Sequence, residues 1–232
     1  MNDYNDMSAE TYEKLYARYL KRPGRLLYAP DPAVSLTSQT RLLDLCAGSG
    51  ALIRQAIKAG LSPSNIVAVE EAHTFAGHLH RLGPISVVHG TVTYLGLYDK
   101  LEADERPFDL ITCRQAVNYW WDIEVVEKIV GLLRKSGCFV FNTFNTKPTD
   151  TPHTKQYVYE ERQYAEIAYC IGETVHHVQA CEGLPMHSTT FRWIPPEVFD
   201  DDLNRMIERN CIEEWDCHRK GHTDTYVLRT KV

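Results

Sequence analysis

No apolar run in this chain approaches the roughly 20 residues that a membrane span requires. The first residues, MNDYNDMSAETYEK, have neither the basic segment nor the apolar segment of a secretion signal. The expected setting is therefore soluble and cytoplasmic, with no membrane partner. Cations are in the minority: 25 Lys and Arg stand against 31 Asp and Glu, a formal net charge of −6. Such a chain is not built to neutralise a phosphate backbone, and DNA is not an expected partner. The seven cysteines, Cys46, Cys113, Cys138, Cys170, Cys181, Cys211 and Cys217, include no C-x-x-C pair. No His–Cys cluster has zinc spacing either, so neither a metal site nor a disulfide framework is expected, and the thiols read as reduced and buried. Internal repeats and low-complexity tracts are absent. What remains is ordinary globular composition, 44% hydrophobic and 24% charged over 232 residues, enough to bury a sizeable core.

From about residue 41, short apolar runs alternate with helical patterns. Arg41–Cys46 reads as a strand that enters Ala47-Gly48-Ser49-Gly50, and Ala51–Ala59 reads as a helix that Gly60 and Ser62-Pro63 stop. Ile66–Glu70, Ile85–His89, Phe108–Cys113 and Gly137–Asn142 are the next strands, with helices to about Leu82 and from Asp122 to Leu133. Nearly all-apolar strands alternating with helices predict a parallel sheet covered on both faces. Before the first strand, Tyr12, Leu15, Tyr16, Tyr19 and Leu20 recur at helical spacing. After the fifth, Gln156–Tyr159, Thr174–Gln179 and His187–Trp193 predict an antiparallel insertion. Pro195-Pro196 opens a helix to about Arg209, and Ile212–Lys220 with Thr223–Thr230 forms a hairpin about Gly221-His222.

A tight, glycine-rich turn from a strand into a helix lets a ligand approach the backbone and sit at the helix N-terminus. Asp44-Leu-Cys-Ala-Gly-Ser-Gly50 is such a loop, and Glu70 ends the next strand where an acid can accept from both ribose hydroxyls of an adenosine ligand. Those features admit a dinucleotide or S-adenosylmethionine. A G-x-G-x-x-G register starting at Gly48 puts Ile53 at its third glycine, and one starting at Cys46 lacks its first. Without a pyrophosphate to seat, S-adenosylmethionine does not need that third glycine, and the loop favours it.

Leu42–Gly50, Val67–Glu70, Phe108–Cys113 and Leu132–Gly137 together resemble the successive motifs of class I S-adenosylmethionine-dependent methyltransferases, over roughly residues 40–145. The resemblance implies an α/β fold with a seven-stranded, mostly parallel Rossmann-like sheet, helices on both faces, an N-terminal helix and an antiparallel lid. It divides one domain into an N-terminal helical cap (1–40), a cofactor-binding core (41–145), a lid insertion (150–193) and a C-terminal helix with hairpin (194–232). It implies that Cys46, Ala47, Gly48 and Gly50 line the methionine part of the cofactor and that Glu70, with Glu71 beside it, takes the ribose. Thr91 and Val92 would flank the adenine, and Cys113, Arg114 and Gln115 would lie under the methionine amino group. Two positions depart from the pattern: Cys46 stands at the first loop glycine, and Thr91 replaces an aspartate that accepts from the adenine amino group. A hydroxyl still accepts that bond, with weaker affinity or through a water.

Methyl transfer from a sulfonium is an in-line displacement, so positioning dominates, and aromatic faces favour the cation. Tyr16 and Tyr19 are the candidates beside the cofactor, and Tyr119 and Trp120, in Tyr119-Trp-Trp121, beside the acceptor. One of the two tryptophans is expected to be core, and Trp120 to face the pocket. The Asn/Asp-Pro-Pro-aromatic tetrad of DNA amino-methyltransferases is replaced here by Arg114-Gln-Ala-Val117, and the Pro-Cys of cytosine enzymes by Thr112-Cys113. A small acceptor under the lid follows, methylated at nitrogen or oxygen. A hydroxyl acceptor needs a base, and His187 is the best candidate; His153, His176 and His177 are weaker, because neighbours in a strand face opposite sides. Arg192 could hold an acidic group of the acceptor. The other readings are an NAD-linked oxidoreductase, against which stand the glycine register and the lack of Tyr-x-x-x-Lys; a non-catalytic adenosine- or partner-binding module; and a protein or RNA methyltransferase, which would have an open groove.

Overall fold

The structure is a computed structural model that describes residues 4–20, 35–102 and 106–231. A short 3-10 turn, Tyr4–Asp6, precedes helices α1 (Ala9–Leu15) and α2 (Ala17–Leu20). Ser8 caps α1 by accepting from the Thr11 amide, so the chain enters the helix where the sequence first supplies a capping hydroxyl. There follow β1 (Leu42–Leu45), α3 (Ala51–Lys58), β2 (Ile66–Glu70), α4 (His73–Leu79), β3 (Ser86–His89), α5 (Leu95–Glu102) and β4 (Phe108–Arg114). Next come α6 (Val117–Trp120), α7 (Ile123–Gly131), β5 (Leu133–Phe144), the four strands β6 (His153–Tyr159), β7 (Arg162–Ile171), β8 (Thr174–Cys181) and β9 (His187–Arg192), then α8 (Pro196–Glu208), β10 (Glu214–Lys220) and β11 (Thr223–Arg229).

Seven strands form one sheet in the order β10-β11-β5-β4-β1-β2-β3. β1, β2, β3, β4 and β5 pair in parallel, and β11 is antiparallel to both β5 and β10. The expected mostly parallel seven-stranded sheet is therefore present, with the C-terminal hairpin completing it. Alternate residues serve opposite faces. Leu43, Leu45, Val67, Val69, Phe139 and Phe141 pack with Val126 of α7 and Phe199 of α8. Leu42, Ile66, Ala68, Leu110 and Val140 pack with Leu52, Ile53 and Ala56 of α3 and Leu79 of α4. Because both faces are covered, β1 and β2 are buried along their whole length, as their near-continuous apolar sequence requires.

β6, β7, β8 and β9 form a separate antiparallel sheet in chain order, the insertion anticipated between the fifth strand and α8. Among the described residues no helix is long and apolar enough to cross a membrane. Three elements go beyond the sequence reading. α5 buries Leu97, Tyr98 and Leu101 at helical spacing, although Gly96 weakens its pattern. α6 is a single turn between β4 and α7. β7 mixes Tyr164, Glu166 and Cys170 on one face, so its alternation is not one of apolar against polar.

Candidate functional site

From β1 the chain proceeds through β2 to β3 at one edge, then returns to build β4, β5, β11 and β10 on the other side. The reversal leaves a crevice outside the carboxyl ends of β1 and β4, where ligands of open α/β sheets settle. The loop after β1 is wound through left-handed conformations at Cys46 (φ 53°), Gly48 (φ 56°) and Gly50 (φ 78°). The two glycines have different reasons. A Cβ on Gly50 would run into Leu79 and Leu82, so that glycine seats the loop against α4, whereas a Cβ on Gly48 would meet nothing within 4 Å. Open space thus lies directly against the Gly48 backbone.

Glu70 holds this loop. Its Oε2 accepts from the Gly48 amide at 2.6 Å and its Oε1 from the Ala72 amide at 2.8 Å. Burial raises its pKa, and those amides oppose the shift. Beside it Glu71 is exposed, and its carbonyl hydrogen-bonds His89 at 2.8 Å. The Ala47 amide donates to the Val69 carbonyl at 3.0 Å. Cys46 and Cys113 share a hydrogen bond, and this contact, with burial, raises the Cys46 pKa so that the thiol stays protonated. Past β3, Thr91 is half-buried and Val92 buried, the Val92 carbonyl accepting from Tyr98 Oη at 2.8 Å.

Two buried groups of opposite charge stand at the adjoining ends of β1 and β4. Asp44 is 2% exposed; Thr112 Oγ1 donates to its Oδ1 at 2.8 Å, and no donor reaches its Oδ2. Burial pushes the Asp44 carboxyl up to about 7. Arg114 donates through Nη2 to the Tyr19 carbonyl at 2.5 Å, while its Nη1 is buried without an acceptor, and burial lowers its pKa. The two feel each other electrostatically. Gln115 adopts φ 53° and donates its amide to Asn142 Oδ1 at 2.9 Å, turning the chain out of β4.

The N-terminal helices and the smaller sheet roof this edge. Tyr12 packs on Phe75 of α4 with ring centroids 5.0 Å apart, and Tyr4 lies tilted against His187 at 4.7 Å. Tyr16 Oη lies 2.8 Å from His187 Nδ1, and Tyr119 hydrogen-bonds both Tyr4 and Thr189. Burial raises the pKa of Tyr4, Tyr12, Tyr16 and Tyr119, so these phenols are neutral and both donate and accept. Tyr19 Oη donates to Glu166 Oε2 at 2.6 Å, and His177 Nε2 sits 3.2 Å from Glu166 Oε1. Burial pushes Glu166 up, but these two hydrogen bonds outweigh it and hold the carboxylate below its ordinary range.

Of the residues that the sequence singles out, the structure brings Cys46, Ala47, Gly48, Gly50, Glu70, Cys113, Arg114 and Gln115 around one crevice, with Tyr16, Tyr119 and His187 in its roof. Tyr19 stands at the edge of the same crevice, its carbonyl accepting from Arg114 Nη2 and its hydroxyl donating to Glu166 of the smaller sheet. Two lie elsewhere than expected. Trp120 is buried like Trp121 (8% and 6% exposed), both inside the main core. Trp121 is the plain core residue, packed on Phe141 and Phe199 and donating to Asp202. Arg192 is on the opposite strand face from His187 and Thr189, its guanidinium donating to the Trp121 carbonyl at 3.4 Å. His176 and His177 do face opposite sides. Asp44, Tyr4, Tyr12 and Glu166 stand in the same crevice and its roof, although the sequence alone assigns them no role in it. Asp44 opens the loop motif and was legible there, whereas nothing in the sequence pairs Glu166 with Tyr19.

No protein family and no curated protein is matched by the sequence. Solved structures do match along nearly the whole chain. DesVI of Streptomyces venezuelae superposes with a TM-score of 0.68 at 16% identity, over 97% of this chain and 98% of that one. An S-adenosylmethionine-dependent methyltransferase of Clostridium acetobutylicum gives 0.59 at 14% identity, over 98% and 94%. CalS10 of Micromonospora echinaspora, an amino pentose methyltransferase solved with S-adenosylmethionine bound, gives 0.58 at 17% identity, over 98% and 92%. The chain has the fold of the class I S-adenosylmethionine-dependent methyltransferases.

Proposed function

We propose that this protein is an S-adenosylmethionine-dependent methyltransferase that carries a methyl group to a nitrogen or oxygen nucleophile of a small acceptor. The observation that carries the reading is the pair of unmatched buried groups, Asp44 Oδ2 and Arg114 Nη1, at the adjoining ends of β1 and β4. Leaving either unsatisfied is costly, and the zwitterionic amino-acid end of the cofactor supplies an ammonium for one and a carboxylate for the other. A nicotinamide dinucleotide has no such end. The open space over Gly48 and the buried carboxylate of Glu70 fit the remainder of the ligand. What supports a small acceptor is the roof: α1, α2 and the smaller sheet cover the carboxyl edge, where a macromolecular substrate needs an open groove.

When bound, S-adenosylmethionine supplies an electrophilic methyl group on a sulfonium, and its product is S-adenosylhomocysteine. The chain's own residues bind and position. Asp44 and Arg114 fix the amino-acid end, and Glu70 fixes the ribose and, through the Gly48 amide, the loop. Tyr4, Tyr12, Tyr16 and Tyr119 exclude water and present neutral phenols to the acceptor, whose aromatic faces favour positive charge over them. His187 is the proton acceptor: with Nδ1–H donating to Tyr16 Oη, Nε2 is the basic nitrogen.

Thermal unfolding with S-adenosylmethionine, S-adenosylhomocysteine and NAD in parallel tests the donor. A ligand at about 100 times its Kd stabilises the fold by roughly 2.7 kcal/mol. A rise with both adenosyl ligands and none with NAD is expected. A rise with NAD alone would overturn the reading.

A further inference from the structure

The turn out of β1 keeps a side chain that its backbone resists. Cys46 sits at φ 53°, in the left-handed region where glycine is free of strain and cysteine is not. Its thiol meets another thiol. Leu45 is the register partner of Cys113 on the adjoining strand β4, so Cys46 follows directly beside Cys113, packs against it and shares a hydrogen bond with it. Cys170, Cys181 and Cys211 spend their thiols differently, on the carbonyls of Gly172, Glu182 and Arg209. Cys113 is fully buried, whereas Cys46 is half-buried beside the crevice. The pair also stands where movement matters. Hydrogen bonds tie the loop to β2 on one side, from the Ala47 amide to Val69 and from the Gly48 amide to Glu70, and the thiol pair faces β4 on the other.

We propose that Cys46 and Cys113 are a redox pair that a hydroperoxide closes into a disulfide, shutting the crevice to its adenosyl ligand. Cys46 Sγ attacks the O–O bond and becomes a sulfenic acid as one water leaves. Cys113 Sγ then attacks that sulfur, the S–S bond forms, and a second water carries off the oxygen. Two thiols are oxidised, and one hydrogen peroxide is reduced to two waters. A hydrogen-bond contact is thereby shortened to a covalent bond of about 2.05 Å. The loop is drawn toward β4 and off its two hydrogen bonds to β2, and the gap between Gly48 and Arg114 narrows. That gap is where the amino-acid end of the proposed cofactor sits; the effect on affinity rests on that proposal, whereas the bond itself does not. Linkage runs both ways: a disulfide that weakens the ligand is itself disfavoured by the bound ligand. Burial and the Cys113 contact keep Cys46 protonated, so the pair closes slowly at neutral pH and answers sustained peroxide rather than a brief pulse.

Peroxide treatment of the full chain, followed by intact mass and peptide mapping, tests the bond, and calorimetry with S-adenosylhomocysteine tests its effect. The oxidised chain should be lighter by about 2 Da, with the Cys46 and Cys113 peptides cross-linked. Its Kd should rise by about tenfold or more and return with dithiothreitol. S-adenosylhomocysteine at about 100 times its Kd should slow closure by on the order of 100-fold. Cys46→Ser and Cys113→Ser, each compared with its own untreated form, should lose the response. A map without a Cys46–Cys113 link overturns the proposal, as does a link that leaves the Kd unchanged. A reduced chain that takes no adenosyl ligand overturns the donor reading instead, and the map then decides the redox pair alone.

Discussion

The two sheets use the same alternation of side chains and put it to opposite ends. In the seven-stranded sheet β1 is buried at all of its positions, Leu42 and Leu43 serving opposite cores, and alternation carries no information about function. Its chemistry gathers where the strands stop, at Asp44, Gly48, Glu70 and Arg114. In the smaller sheet the chemistry lies along the strands, with Glu166, His177 and His187 on a half-wet inner face turned to the N-terminal tyrosines. On the proposed reading the larger sheet binds by its ends, and the smaller one acts by its face.

Four substitutions separate these roles, in descending size. His187→Gln on the smaller sheet should lower kcat by on the order of 10²–10⁴ while the affinity for S-adenosylhomocysteine, read by calorimetry, stays within about twofold. An equal loss of affinity would show that the face binds rather than acts. Asp44→Asn at the strand end should do the reverse. Removing one partner of a buried charged contact costs about 2–5 kcal/mol, so the cofactor Kd should rise by about 30-fold or more.

The same variant has a second, pH-dependent signature. The folded Asp44 carboxyl is raised from its ordinary 3.8 to about 7, so the native state holds a proton that the unfolded chain has released. The stability it contributes is complete below about pH 4 and is lost as pH climbs through 7. Asp44→Asn lacks that loss. Its unfolding free energy in the absence of ligand, from denaturant titration, should equal the parent's near pH 4 and exceed it above pH 7, by up to about 4 kcal/mol at 1.36 kcal/mol per pKa unit. In the parent, cofactor affinity should rise from pH 6 to 8 as the carboxylate forms.

Gly50→Ala should destabilise by about 1–3 kcal/mol through overpacking on Leu79 and Leu82, with denaturant midpoints as the readout. Cys46→Gly should give the smallest effect, a gain of up to about 1 kcal/mol. It relieves a left-handed residue at φ 53°, offset by the entropy of a new glycine and by the lost contact with Cys113.

The contrast also explains what the sequence discloses. β2 is legible to the residue, because Ile66–Glu70 is apolar up to a terminal acid and is bounded by a turn. The glycine loop is legible because left-handed backbone needs glycine, and Cys46 stands out there as the exception. β7 is less so: Tyr164, Glu166 and Cys170 share its inner face, and the reason Glu166 belongs there is Tyr19, far away in sequence. Residue type points to Arg192 and Trp120, but their placement is decided by strand parity and packing, which type does not carry.

The antiparallel strand β11 has a consequence for how the chain folds. It is inserted between β5 and β10, its Tyr226 stacked flat on Phe141 of β5 at 5.0 Å. Between those partners in sequence lie the whole smaller sheet and α8. The core thus closes across a long loop, a connection of high contact order that is slow to form. Until it forms, β5 presents Phe139 and Phe141 along an unpaired edge, so a nascent or thermally opened chain is most prone to aggregate there.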